Sequence, residues 1–390
     1  MRNAALWRGA ALFLTAAPFL LLLHAAPARA AGPNADPADT TQALLTREIL
    51  STKRTQINAY PYLYYTPETE LAFGVGGITT FYTSREDAIL RPSKIALSGY
   101  YATTGQYKFS LNPQLYFGAN KTIVTANLDY GHYVDKFWGI GPDTPDLEDA
   151  AAFESKGFGA EITLLVPPKL KVFNRTSAGF VFDLYNSDIV DKRQNPELQS
   201  GDVRGSEGGV STGLGWSWNW DTRDKVFYPT KGGYHQLKGI YYGQWLGGSF
   251  DFNKYEIDLR HYQQIKPQHI VALQVFAQTV GGTPPFYELP ALGGQRIMRG
   301  YYQGRYRDES LLAGQVEYRT HIYKRIGAVG FAGIGDVGTR LRDIKIRDLK
   351  TSLGVGARFL FNKAENVNLR ADIGFGRETS GVYFGLEEAF

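Results

Sequence analysis

Apolar and polar residues alternate with a period of two from about residue 56 to the end of the chain. In NVNLRADIGFG, 366–376, Val367, Leu369, Ala371, Ile373 and Phe375 share one face, and Asn368, Arg370, Asp372 and Gly374 share the other. Successive side chains of a strand point to opposite sides of its sheet, so this pattern predicts a β-strand. LAGQVEYRTHI repeats it, with Leu312, Val316, Tyr318 and Ile322 opposed to Gln315, Glu317, Arg319 and His321. NKYEIDLRH, VALQVFAQ and GVSTGLGWSWNWD follow the same rule. Such runs predict about sixteen strands, starting near residues 56, 70, 93, 106, 120, 154, 170, 208, 233, 251, 269, 309, 327, 349, 366 and 380. Each suffices for the ~9–11 residues that a tilted strand needs to cross a bilayer. The connections alternate in length. Short ones (GAN, VPPK, KPQ, YKR, NKAE) follow even-numbered strands, and the longest, 131–153, 185–206 and 281–308, follow odd-numbered ones. Residues 83–92 and 221–232 break the rule, being long on the short-turn side.

Alternation leaves open which face is outside. A soluble sandwich or a small closed barrel would bury the apolar face. A barrel of about sixteen strands instead encloses a lumen too wide for side chains to fill. The polar face also carries Glu256, Asp258, Arg260, Glu317, Arg319, Arg370 and Asp372, a set suited to water or to mutual pairing. Apolar outside, polar inside, short turns at one end and long loops at the other is how an outer-membrane barrel is built. The predicted fold class is therefore all-β, a 16-stranded antiparallel transmembrane β-barrel of the cell outer membrane over residues 56–390. Its expected surroundings are outer-membrane lipids and lipopolysaccharide, and its own insertion would need the barrel assembly machinery.

The first thirty residues agree with export. Arg2 and Arg8 precede an apolar run that ends in APARA, with Ala28 and Ala30 at the small-residue positions of a cleavage site. This predicts a signal peptide over 1–30, cut after Ala30. Residues 31–55, rich in Pro, Asp and Ala at their start, read as a periplasmic linker with one short helix in QALLTREILST. The 390 residues contain no cysteine, so disulfides contribute nothing to stability. A formal charge of +4 with no basic run argues against nucleic acid as a partner. His132, His235, His261, His269 and His321 sit in no serine or cysteine motif and at no metal-ligand spacing, so neither an enzyme nor a metal is expected. Asp143, Asp146, Glu148 and Asp149 offer calcium ligands on a loop, but solvated charge is the preferred reading. No cofactor motif is present among the glycine-rich stretches, because none follows a strand and opens a helix.

Chemistry concentrates in the 281–308 connection, where GGQRIMRGYYQGRYRD packs arginine, glycine and tyrosine together. The loop is long enough to fold back into the lumen. PFYELPALGGQRIMRGY, 285–301, resembles the conserved loop of the BamA/TamA family of outer-membrane assembly barrels (the bacterial surface antigen barrels). Met298, Arg299, Gly300 and Tyr301 match that family's [IVL]-R-G-[FY] tetrapeptide, with Met in the first place. WDTRDKVFYPTKGG resembles the family's D-x-R…P-T-x-G periplasmic turn, matched here by Asp221, Arg223, Pro229 and Gly232. The resemblance implies that Arg299 pins the loop inside the barrel. It also implies that the acidic partners of this arginine are Glu317 and Asp336, on strands twelve and thirteen. A lumenal guanidinium needs such carboxylates, and pairs with them bidentately. Arg296, Arg305 and Arg307 remain available for lipopolysaccharide phosphates. The chain's last residues, GVYFGLEEAF, resemble the terminal signal of such barrels, with Val382, Phe384, Leu386 and Phe390 on one face.

The resemblance implies a role in outer-membrane biogenesis or in protein or lipid transport, and a seam between the first and last strands that can open sideways. Pro61 in the first strand removes a ladder donor and suits such an edge. The periplasmic (POTRA) domains that the family places ahead of its barrel do not fit between Ala30 and Gln56. A separate periplasmic partner is therefore expected. The alternative is a passive or narrowly gated channel for small solutes.

Overall fold

A computed structural model of the chain describes residues 55–84, 90–145, 152–167, 175–193, 195–225, 227–362 and 367–390. The expected signal peptide, the linker up to Arg54, and Asp146, Glu148 and Asp149 lie outside these residues. Sixteen strands form one antiparallel sheet, each paired with its neighbours in sequence. They are β1 (Gln56–Thr66), β2 (Glu70–Phe81), β3 (Ser93–Ala102), β4 (Tyr107–Phe117), β5 (Thr122–Lys136) and β6 (Ala152–Val166). Then come β7 (Thr176–Asp191), β8 (Gly208–Asp221), β9 (Gly232–Tyr242), β10 (Phe252–Lys266) and β11 (His269–Gly282). The last five are β12 (Ser310–Tyr323), β13 (Ile326–Gly338), β14 (Lys350–Asn362), β15 (Val367–Gly376) and β16 (Thr379–Leu386).

The alternation sorts as it must for a barrel in lipid. Phe73, Val75, Leu97, Phe109, Leu273, Val275 and Ile373 are exposed on the outer face. Asp258, Gln274, Glu317, Arg319, Arg370 and Asp372 are buried on the inner one. Outward side chains meet acyl tails, and fifteen strand pairs make their backbone hydrogen bonds within the sheet, as crossing hydrocarbon requires.

Two expectations about length are corrected. The connections read as 131–153 and 185–206 are partly strand, since β5 runs to Lys136 and β7 to Asp191. Both pair with β6 to their ends, Lys136 with Ala152 and Asp191 with Glu154, and a cap over the loop end is built there. Phe137, Phe153, Leu198 and Phe286 bury one another there. Leu198 is supplied by a single helical turn, Pro196–Ser200, which Asn195 caps by accepting from the Leu198 N–H at 3.1 Å.

β1 and β16 lie side by side, yet no β-ladder pairs them among the described residues. The sheet is thus nearly closed, with one unzipped seam.

The chain's last residues do not stay in the sheet. Phe384 is exposed on the outer face, but Phe390 is buried. Beyond Leu386 the backbone turns into the lumen, and Phe390 packs with Ala389 on Tyr262 of β10 and Ala272 of β11. The expectation that Phe390 shares the lipid face with Phe384 is therefore overturned. The cause is charge: Glu388 accepts from Arg358 Nε at 2.7 Å inside the barrel, and Arg319 donates to the Phe390 carbonyl at 2.9 Å.

Candidate functional site

Residues 283–309 leave β11 at the loop end, descend into the lumen and return to β12. The two arms are joined by a short ladder, Ala291 with Arg307 and Leu292 with Tyr306. At the tip the backbone takes left-handed φ values at Gly293, Gly294, Met298 and Gly300 (115°, 94°, 59° and 114°). Gly300 needs its glycine twice over. Its φ is unfavourable to any side chain, and a Cβ there would stand 2.7 Å from the Gly376 nitrogen. Gly374 is the counterpart on β15, where a Cβ would stand 2.7 Å from the Arg299 carbonyl carbon. Loop backbone therefore lies directly on strand backbone. Gly300 N–H donates to Tyr383 Oη at 2.9 Å, and the Tyr301 hydroxyl donates to Thr351 O at 2.9 Å. Met298 and Tyr301 are buried with Leu292, Leu311, Ala313 and Val337.

Between these contacts sits Arg299, 1% exposed. Its Nη2 donates to Glu317 Oε2 at 2.5 Å and its Nη1 to Asp372 Oδ2 at 2.5 Å. Its guanidinium lies 3.6 Å from the centre of the Phe331 ring. The carboxylates are shared. Glu317 also accepts from Arg319 at 2.7 Å, and Asp372 from Arg358 at 2.5 Å. Arg370 stands 3.6 Å from Asp372 and donates to the Gln295 side chain at 2.9 Å. Loop, β12, β14, β15 and the inturned chain end are thus tied into one ionic network. Arginine suits this because its planar fork serves two carboxylates at once.

Of the two carboxylates expected to hold Arg299, Glu317 is in contact and Asp336 is not. Asp336 is bound by Lys350 at 2.6 Å. The register explains it: Glu317 faces Phe331, whereas Asp336 faces Leu312. At ~3.3 Å per residue the two levels differ by about 16 Å along the strands. Asp372 fills the place assigned to Asp336. The sequence held a signal for it, since Asp372 is the inward carboxylate of LRADIGFG. The glycines that receive the loop, Gly374 and Gly376, follow in the same run.

The remaining loop arginines do not face lipopolysaccharide as expected. Arg307 is buried, donates to Phe286 O at 3.2 Å and lies near the Phe137 ring. Arg305 donates to Thr144 Oγ1 at 2.8 Å and stacks on Tyr306 and Trp138. Arg296 lies deep in the lumen, its carbonyl accepting from Gln315 Nε2 at 2.7 Å. Cap and loop are joined by Gly141 N–H donating to Arg307 O at 2.8 Å. The arginine-rich loop is thus part of a lid rather than a surface for anions.

At the opposite end, the turn between β8 and β9 brings the remaining motif together. Arg223 forks onto Asp221 at 2.9 and 2.8 Å, Pro229 is buried, and Gly232 has φ 92° with Thr222 O where a Cβ would be. Asp224, which the motif left unassigned, organises the turn by accepting from Thr230 N–H at 2.8 Å and Lys231 N–H at 3.2 Å. Burial alone would raise its pKa, but the bonds from Thr230, Lys231 and Lys225 outweigh that and hold it below the usual value. Phe227 of this turn reaches Lys94 on β3, and Tyr228 lies beside Arg319 on β12.

The sixteen-stranded barrel has known relatives. Residues 91–390 match the Omp85 superfamily domain. The chain belongs to the Omp85 superfamily. It is similar to the solved structure of BamA from Haemophilus ducreyi lacking POTRA domains 1–3, at 14% identity and a TM-score of 0.57, over 85% of this chain and 70% of that one. CdiB from Acinetobacter baumannii matches at 10% identity and a TM-score of 0.56, over 92% of this chain and 69% of that one. CdiB from Escherichia coli matches at 13% and 0.51, over 90% and 70%. At such identities the likeness speaks for the fold. A search of curated proteins returned no match. As an Omp85 barrel this protein resides in the outer membrane, in a superfamily of transport and assembly proteins.

Proposed function

We propose that this Omp85 barrel moves protein or lipid cargo sideways through the β1–β16 seam, working with a separate periplasmic partner that captures the cargo and without any catalytic step. The observation that carries the reading is the contrast between fifteen laddered strand pairs and one junction without a ladder among the described residues. Opening that junction breaks no ladder, whereas opening any other breaks several backbone bonds in a medium with no water to replace them. The lid supports the same route. The cap covers the loop end, and the ionic network holds the loop tip against the inner wall of the lumen.

Cysteines introduced in pairs across the seam, one in 57–65 and one in 380–385, test this. Oxidation should abolish the cellular role while reduction restores it. If locked and unlocked forms support growth and outer-membrane composition equally, the seam is not the route. A large, steady single-channel conductance of the purified barrel would instead favour the passive pore.

A further inference from the structure

The β12–β13 turn places Lys324 and Arg325 next to each other, both exposed, at the short-turn end of the barrel. Outside this turn lies a shallow cleft of about 490 Å³ walled by Tyr323, Ile326 and Phe359, with Lys324 and Arg325 completing it. Ile326 and Phe359 are 49% and 44% exposed and continue the apolar face that meets acyl chains. Inside the turn lies a pocket of about 240 Å³ whose walls include Lys225, Arg319, His321, Arg325 and Arg358. No carboxylate lines it among the described residues. Arg325 borders both spaces. Arg319 and Arg358 pair with Glu317, Asp372 and Glu388 deeper in the lumen, while Arg319 Nη1 and Arg358 Nη2 have no hydrogen-bond partner among the described residues. His321 Nε2 donates to Lys324 O at 2.6 Å and holds the turn in shape.

An apolar wall at acyl-chain depth, ending in paired cations at headgroup depth, has the chemistry of a lipid site. A phosphate fits its charged end better than a carboxylate does, because its several oxygens serve the Arg325 fork and the Lys324 ammonium together. We propose that this rim binds an anionic glycerophospholipid of the periplasmic leaflet. Its phosphate would sit between Lys324 and Arg325, its acyl chains on Ile326 and Phe359, and the basic pocket behind the turn would add attraction. This site is separate from the seam and goes beyond the route proposed for cargo.

Native mass spectrometry of the full chain in detergent, titrated with short-chain phosphatidylglycerol, tests it. The wild type should retain the lipid, and diacylglycerol, which lacks the phosphate, should not be retained. Lys324→Gln with Arg325→Gln should weaken retention at least tenfold. Lys345→Gln, an exposed cation at the opposite end, should leave it unchanged. Should the double variant fail to fold, Arg325→Lys must keep most of the binding and Arg325→Gln alone must not. Three results overturn the site: no retention by the wild type, equal weakening by Lys345→Gln, or inorganic phosphate displacing the lipid as effectively as more phosphatidylglycerol does.

Discussion

The lumenal walls on either side of the seam are held by different physics. On β12–β16 the inward residues are ionic and dry: Glu317 and Asp372 are 0% exposed, and Arg319, Arg358 and Arg370, with Arg299 of the loop, are at most 5% exposed. On β1 and β3 they include four half-buried tyrosines, Tyr60, Tyr62, Tyr64 and Tyr100. Tyr60 and Tyr62 lie over Gly76, Tyr62 also covers Gly74, and Tyr64 meets Tyr100 edge-on at 5.2 Å. One ion pair on that side, Lys108 with Asp129, is 3.7 Å long and partly exposed. A buried, shared network admits few alternative arrangements, because any displacement leaves a charge unpaired in a low dielectric. Stacked tyrosines over glycine can slide at little cost. The seam therefore joins a stiff wall that anchors the loop tip to a compliant one that the loop meets at Glu68, which accepts from the Gln303 N–H at 2.7 Å.

The sharpest way to break this contrast is Arg299→Leu. It leaves Glu317 and Asp372 each short of a buried partner, and such losses cost about 3–5 kcal/mol. The variant should lose heat-resistant mobility on gels at a markedly lower temperature, with loop residues becoming protease-sensitive. Asp372→Asn should act in the same direction. Asp336→Asn should not free the loop, because its partner is Lys350; equal behaviour of the two would show that the network has been misassigned.

A smaller effect is expected on the other wall. Tyr64→Ala removes one edge-on contact, worth ~0.5–1.5 kcal/mol. It should shift the heat-modified transition only slightly while speeding oxidation of cysteine pairs across the seam. A shift as large as that of Arg299→Leu would mean that the two walls are equally stiff.

The smallest effect sharpens the comparison at the turn that touches both walls. The carboxyl of Asp224 has its pKa lowered from 3.8 by the bonds it accepts in the turn. Its stabilising contribution is therefore complete above that value and fades as pH falls through the lowered one. Proteolysis within 222–231 by an acid-active protease should accelerate below about pH 4 in the wild type. Asp224→Asn should already show the faster rate just above that pH and remove most of the dependence. A wild-type rate flat through that range would remove Asp224 from the turn's support.

Much of the architecture is legible residue by residue. Val367, Leu369 and Ile373 alternate against Asn368, Arg370 and Asp372 because a strand's faces are set by neighbouring backbone geometry, which each short segment carries within itself. Strand number, the lipid face and the alternation of turns and loops follow from such local rules and from the width of a sixteen-stranded lumen. The arrival of Arg299, Gly300 and Tyr301 inside the barrel was suggested by motif resemblance, not by alternation. What only the tertiary structure decided is who meets whom across the lumen. Arg299 reaches Asp372 rather than Asp336, Phe390 leaves the lipid face for Tyr262, and Arg305 and Arg307 close a lid instead of facing outward. Each outcome depends on strand register accumulated around the barrel and on how deep the loop descends. A shift of a few residues in either changes the partner while leaving every strand's alternation untouched.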